Sequence, residues 1–202
     1  MLPDQVFDLD ADPGEHTDVL VSSGSEAEEA RERSRRWVQV ATHMSQNTDG
    51  IERLVDAARL RELPPDAHRV TGRFGDSIRV LGVSYPSDPP RLGALFEFTV
   101  FYQVLAPLPP HFRLEQLGRG SSARVINYTH TPVAGLYPAA LWQPGETVAD
   151  RFSLRVVRNH AGDFLDVSVA FRSEDGADHL PVVEGESRHE GELFLARVPV
   201  QR

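Results

Sequence analysis

The chain has 202 residues, of which 40% are hydrophobic and 25% charged, ordinary values that argue against wholesale disorder. It has no cysteine, which excludes a disulfide framework and a thiolate metal site, and no apolar run approaches the roughly 18–20 residues that span a bilayer. The net charge of −9 argues against nucleic acid or an anionic membrane as partner, and all 21 basic residues are arginine, a uniformity that codon bias explains. Residues 1–66 hold 15 acids against 7 arginines, whereas residues 67–202 are nearly balanced with 15 against 14, so the two parts read as different kinds of structure.

The start of the chain lacks a basic patch followed by an apolar stretch, so no secretory signal is expected in it. The default placement is cytoplasmic, or cell envelope if the chain belongs to a longer protein. Pro3, Pro13 and Gly14 punctuate residues 1–24. Asp8, Asp10 and Asp12 alternate like the start of a calcium loop, but Pro13 and Val19 occupy the positions where an EF-hand needs Gly and a bidentate acid, so a solvated acidic turn is the better reading. Ser25 and Glu28 have capping-box spacing before a helix expected over residues 26–46, whose Trp37, Val40, Ala41 and Met44 form one apolar stripe. A second helix is expected from Asp49, carrying Ile51, Leu54, Val55, Ala58 and Leu60 and stopping before Pro64-Pro65. That proline pair sets the expected boundary between a helical segment, 1–66, and a second domain, 67–202.

Beyond it the apolar period changes from 3.6 to 2. Ala94, Phe96, Phe98, Val100, Tyr102 and Val104 alternate with Glu97, Thr99 and Gln103, the pattern of a long strand with one wet face. Phe152, Leu154 and Val156 alternate likewise, as do Leu165, Val167, Val169 and Phe171. Further strands are expected over 77–85, 112–117, 124–128 and 193–200, separated by proline- and glycine-rich turns. The expected fold is mainly β: an antiparallel β-sandwich, immunoglobulin-like or jelly-roll-like, preceded by a short helical segment. Its strands supply enough apolar side chains, at about 1.5–3 kcal/mol each when buried, for the unit to stand without disulfides.

Several motifs bear on chemistry. Ser87-Asp88-Pro89-Pro90-Arg91 has the Ser-x-Pro-x-Arg form of a sulfatase nucleophile, but the Thr-Gly that usually follows is absent, and a hairpin loop is the plainer reading. Gly118-Arg119-Gly120-Ser121-Ser122-Ala123-Arg124 offers amides and arginine to an anion but lacks a following helix, so it too reads as a hairpin loop. The eight histidines, at 16, 43, 68, 111, 130, 160, 179 and 189, show no zinc spacing and none is assigned to catalysis. Tyr137 and Trp142 are the carbohydrate-binding candidates, flat aromatics able to stack on sugar rings, against a commoner role as core or corner packing.

Two stretches resemble known families. Gln5-Val6-Phe7-Asp8-Leu9, then Asp12-Pro13-Gly14-Glu15 and Asp18-Val19-Leu20, resembles the segment near the C-terminal end of type I sulfatases, with Gln5 where Glu is usual. Phe74-Gly75-Asp76 through Ile78 to Leu81-Gly82, with Tyr137-Pro138 and Trp142-Gln143-Pro144-Gly145-Glu146, is similar to β-sandwich domains appended to bacterial envelope enzymes and membrane glycosyltransferases. Together they imply a non-catalytic accessory or binding domain of a sulfatase-like protein, contacting a catalytic domain or an envelope glycan. The family's catalytic domain would precede residues 5–20, so no catalytic residue, cofactor or metal ligand is carried over. The alternative is a sulfatase-type hydrolase centred on Ser87 or a histidine, or a truncated remnant of one. The two differ in whether Arg91 is a site residue or a loop residue.

Overall fold

The computed structural model describes residues 48–109, 111–121, 125–133, 135–158, 160, 162–173 and 176–201. The calcium-like acids, the 26–46 helix and the sulfatase-like stretch therefore lie outside the described residues. Residues Arg53–Arg202 form one compact unit, distinct from Met1–Glu52.

The described elements are a helix α1 (Thr48–Ala58), of which residues 53–58 belong to this unit, and eleven strands. These are β1 (Arg59–Leu60), β2 (His68–Phe74), β3 (Ile78–Ser84), β4 (Leu95–Val104), β5 (Phe112–Arg119), β6 (Val125–Asn127), β7 (Thr147–Arg155), β8 (Phe164–Ser173), β9 (Val182–Glu184), β10 (Ser187–His189) and β11 (Glu192–Pro199). A single 3-10 turn, Ala139–Leu141, sits between β6 and β7. Six strands form one antiparallel sheet in the order β1-β7-β4-β3-β2-β9, and five form the other in the order β10-β11-β8-β5-β6. The two sheets pack as a sandwich.

Alternation decides which face of each strand is buried. The even residues of β4 from Phe96 to Val104 face inward, as do Val148, Phe152 and Leu154 of β7. Leu165, Val167, Val169 and Phe171 of β8 meet them from the opposite sheet. Phe74 and Phe171 touch edge to face across the gap, with ring centroids 5.0 Å apart. The chain crosses from β9 in one sheet to β10 in the other through Gly185, at φ 103°, where an added Cβ would lie 2.6 Å from the Thr71 carbonyl oxygen. Only glycine satisfies both conditions.

The second helix ends at Ala58, earlier than its apolar spacing predicts, and Leu60 lies on a strand. Arg59 and Leu60 pair with Val148 and Thr147. The outer edge of β7 would otherwise present open backbone groups, and this short strand covers part of it. The odd face of β4 is also not uniformly wet. Thr99 and Phe101 are buried there, and the C-terminal part of α1 and the segment after it stand above them.

Candidate functional site

The inward parity of β7 carries one residue that is not apolar. Between Val148 and Phe152 stands Asp150, fully buried. Its two carboxylate oxygens are taken by different partners. Gln116 of β5, in the opposite sheet, donates its amide to Oδ2 at 2.9 Å, and His130 Nε2 lies 2.9 Å from Oδ1. The backbone N–H of His130 donates to Gln116 Oε1 at 3.3 Å, closing a ring that joins β5, β7 and the segment after β6. His130 Nδ1 lies 3.4 Å from the Tyr128 carbonyl oxygen, and the imidazole packs on Phe152 at 5.0 Å. Burial pulls the pKa of His130 down, but the hydrogen bond and charge of Asp150 outweigh it and the net shift is upward.

A carboxylate that orients a histidine is half of a general-base arrangement. That role needs one ring nitrogen free for the substrate, and here both face protein acceptors. As an imidazolium, His130 can donate from both nitrogens, and the geometry is that of an inter-sheet strut. Beside it, Tyr102 is fully buried and its hydroxyl has no hydrogen-bond partner. Burial raises its pKa well above the ordinary value, and the charge of Asp150 adds to this. An orphaned hydroxyl costs about 1–3 kcal/mol. Tyr102→Phe is therefore expected to leave stability unchanged or raise it by about 1 kcal/mol, read as the midpoint of urea unfolding.

Tyr137 and Trp142 are core residues, 5% and 1% exposed, so neither ring offers an open face to a sugar. Trp142 Nε1 donates to the Tyr137 carbonyl oxygen at 3.0 Å, and its ring lies 5.3 Å from that of Tyr102. The Trp142–Glu146 stretch is a type II turn, with Pro144 and then Gly145 at φ 91° in its central positions and the Glu146 N–H bonded to the Gln143 carbonyl at 3.1 Å. Glu146 then gathers three donors through its carboxylate: Arg59 Nε at 2.9 Å, the Tyr137 hydroxyl at 2.5 Å and the Gln143 N–H at 2.9 Å. The motif fixes a corner, and the aromatic pair is part of that corner.

The other sequence candidates are separate. Ser87 lies in the exposed loop between β3 and β4, and Arg91 binds Gln201 near the C-terminal end through a bridge and a 3.4 Å side-chain bond. Arg91 is a loop-packing residue. In the Gly118–Arg124 stretch, Arg119 makes a two-pronged ion pair with Glu192, and residues 122–124 lie outside the described residues. Arg172 bridges Glu115 at 3.2 Å and Glu192 at 3.4 Å, so a lattice of compensated charges covers this part of the outer face of the five-stranded sheet. His68 stacks on Tyr85, the His111 ring lies tilted against Phe112, and His160 Nε2 lies 2.7 Å from the Phe164 carbonyl oxygen. His16 and His43 lie outside the described residues. Among the described residues no cluster of three metal-ligating side chains occurs.

An open groove of about 530 Å³ lies on the outer face of the six-stranded sheet. Strand register gives its floor. Ser84, Thr99 and Arg151 form one row across β3, β4 and β7, and Gly82, Phe101 and Ala149 form the next. Leu54, Ala57 and Ala58 of α1 with Leu60 form one wall, Pro64 and Asp66 line it from the linker, and Val133 from the segment after β6. Val133 has φ 55°, the one positive φ at a non-glycine residue among the described residues. A β-branched residue held there costs about 1–3 kcal/mol and persists only where its surroundings impose it.

The periodicity of β7 could have exposed Asp150, since extending its apolar parity back from Phe152 lands on a carboxylate. Nothing local marks His130 or Gln116 as its partners, nor the groove, which several distant segments assemble. No family model matches the chain, and no curated protein matches it.

Proposed function

We propose that the chain is a non-catalytic accessory module, a binding domain of a sulfatase-like protein, and that the groove over β3, β4 and β7 is where it binds. The groove carries the reading: a concavity of about 530 Å³ with an apolar majority and a few polar groups is the usual form of a ligand site. The residues best suited to chemistry are committed elsewhere, His130 and Asp150 to each other and Arg119 to Glu192. The sulfatase attribution rests on the pattern of residues 5–20 alone. Of a glycan and a catalytic-domain partner, the lining favours whichever presents an apolar group, because Leu54, Leu60, Phe101 and Val133 outweigh the planar polar side chains that read sugar hydroxyls.

The neutral fluorescent probe N-phenyl-1-naphthylamine tests the site. The full chain is expected to enhance its emission, and Ala57→Trp, which places an indole in the groove, is expected to abolish the enhancement while leaving the melting temperature within a few degrees. Enhancement that survives the substitution would remove the groove as the site. Aryl sulfate hydrolysis above background, with or without calcium, that disappears in Ser87→Ala would replace the binding reading with the hydrolase one.

A further inference from the structure

We propose that the groove selects a small amphipathic carboxylate, with its apolar body between Leu54 and Ala149 and its carboxylate on Arg151, an inference that rests on the binding reading above. Arg151 is exposed on the β7 side of the groove, and among the described residues no ion pair or side-chain hydrogen bond occupies its guanidinium. Several arginines of the unit are compensated, Arg59 by Glu146, Arg119 by Glu192, and Arg188 and Arg197 by Asp166, and among the unpaired described ones Arg151 is the one that lines the groove. A guanidinium binds a carboxylate with two parallel hydrogen bonds, and beside a low-dielectric apolar wall such a bond is stronger than in open water.

The second charge of the groove sets the direction of the ligand. Asp66 lies in the turn before β2, the neighbour of β3, whereas Arg151 is on β7, and β4 separates β3 from β7. Two strand spacings separate β3 from β7, roughly 10 Å, about the length of a medium aliphatic chain. An anion at the Asp66 end is repelled, and one at the Arg151 end is attracted. The floor between them is apolar at Phe101 and Ala149, and the α1 wall presents Leu54, which is 54% exposed. A ligand that satisfies all of this has one negative end and a long apolar remainder.

Isothermal titration of the full chain with decanoate and with decyltrimethylammonium, both below their micellar concentrations, tests the charge preference with the chain length held constant. Decanoate is expected to bind at least tenfold more tightly. Arg151→Gln is expected to abolish that preference, and Asp66→Asn to tighten decanoate binding by about twofold. A preference that survives Arg151→Gln, or equal binding of the two probes, overturns the inference. If the neutral naphthylamine binds in the groove and decanoate does not, the carboxylate inference fails and the binding module stands. If neither binds, both fail.

Discussion

Asp150→Ala is expected to destabilise the protein by about 3–5 kcal/mol, the usual cost of breaking a buried charge pair from one side. The carboxylate is fully buried and joins the two sheets through Gln116 and His130. Its removal leaves the buried Gln116 amide and the partly exposed His130 imidazole without their shared acceptor. For a unit of this size the melting temperature should fall by roughly 6–20 °C. The loss should also depend on pH. The pKa of His130 is raised above its ordinary 6.5. The folded state therefore holds this proton more tightly than the unfolded chain does, and the extra stability is complete below about pH 6.5. It is lost as pH rises through the folded-state value. Thermal melts should accordingly show the gap between the native protein and Asp150→Ala widest in mild acid and narrowing in alkali. A gap independent of pH would mean that His130 is neutral in the folded state.

Trp142→Ala is expected to cost about 3–5 kcal/mol as well, for a different reason. Trp142 is among the largest fully buried side chains and packs against Tyr102, and its indole N–H holds the Tyr137 carbonyl. Truncation leaves a cavity and an unpaired carbonyl at the corner that sets the start of β7. A solvent-facing stacking platform would change stability by less than about 0.5 kcal/mol on the same substitution. Equilibrium unfolding in urea separates these outcomes, and a negligible shift would return Trp142 to the surface.

The sandwich was legible in the sequence wherever one side chain parity was enough to define a strand. In β4 every even residue from Phe96 to Val104 is apolar over nine positions, a period of two that no helical pattern fits. In β2 the pattern fails. Its pairing with β3 shifts register between Arg69 and Gly72, and Gly72 places no side chain where Val70 and Phe74 have theirs. The strands β9 and β10 span three residues each, too short for any period to register. Strand β1 follows a helix without a breaker, and it is a strand only because the edge of β7 is there to receive it. Phe101 marks a similar limit. Its position on the odd face reads as an interruption of a wet surface, and its meaning comes from a helix some forty residues earlier.

The candidate site divides in the same way. Tyr137, Trp142 and Glu146 stood out as a motif because a turn needs Pro and Gly at fixed places, and that motif determines a corner. Asp150 could be found by extending a parity. The groove could not, since Arg151 has no local feature that distinguishes it from Arg155 four residues on. Only the register of β4 and β7 sets Arg151 opposite Thr99, one row from Phe101, in the groove that Asp66 also lines.

The most direct measurement is a residue-resolved map of amide shifts as decanoate is titrated into the isotopically labelled full chain. The groove account predicts that the saturable shifts gather on Ser84, Thr99, Phe101, Ala149 and Arg151, while His130, Asp150 and the Trp142 indole N–H stay in place. Shifts centred on His130 and Asp150, with the β3–β4–β7 row silent, would contradict it and make the inter-sheet pair the site.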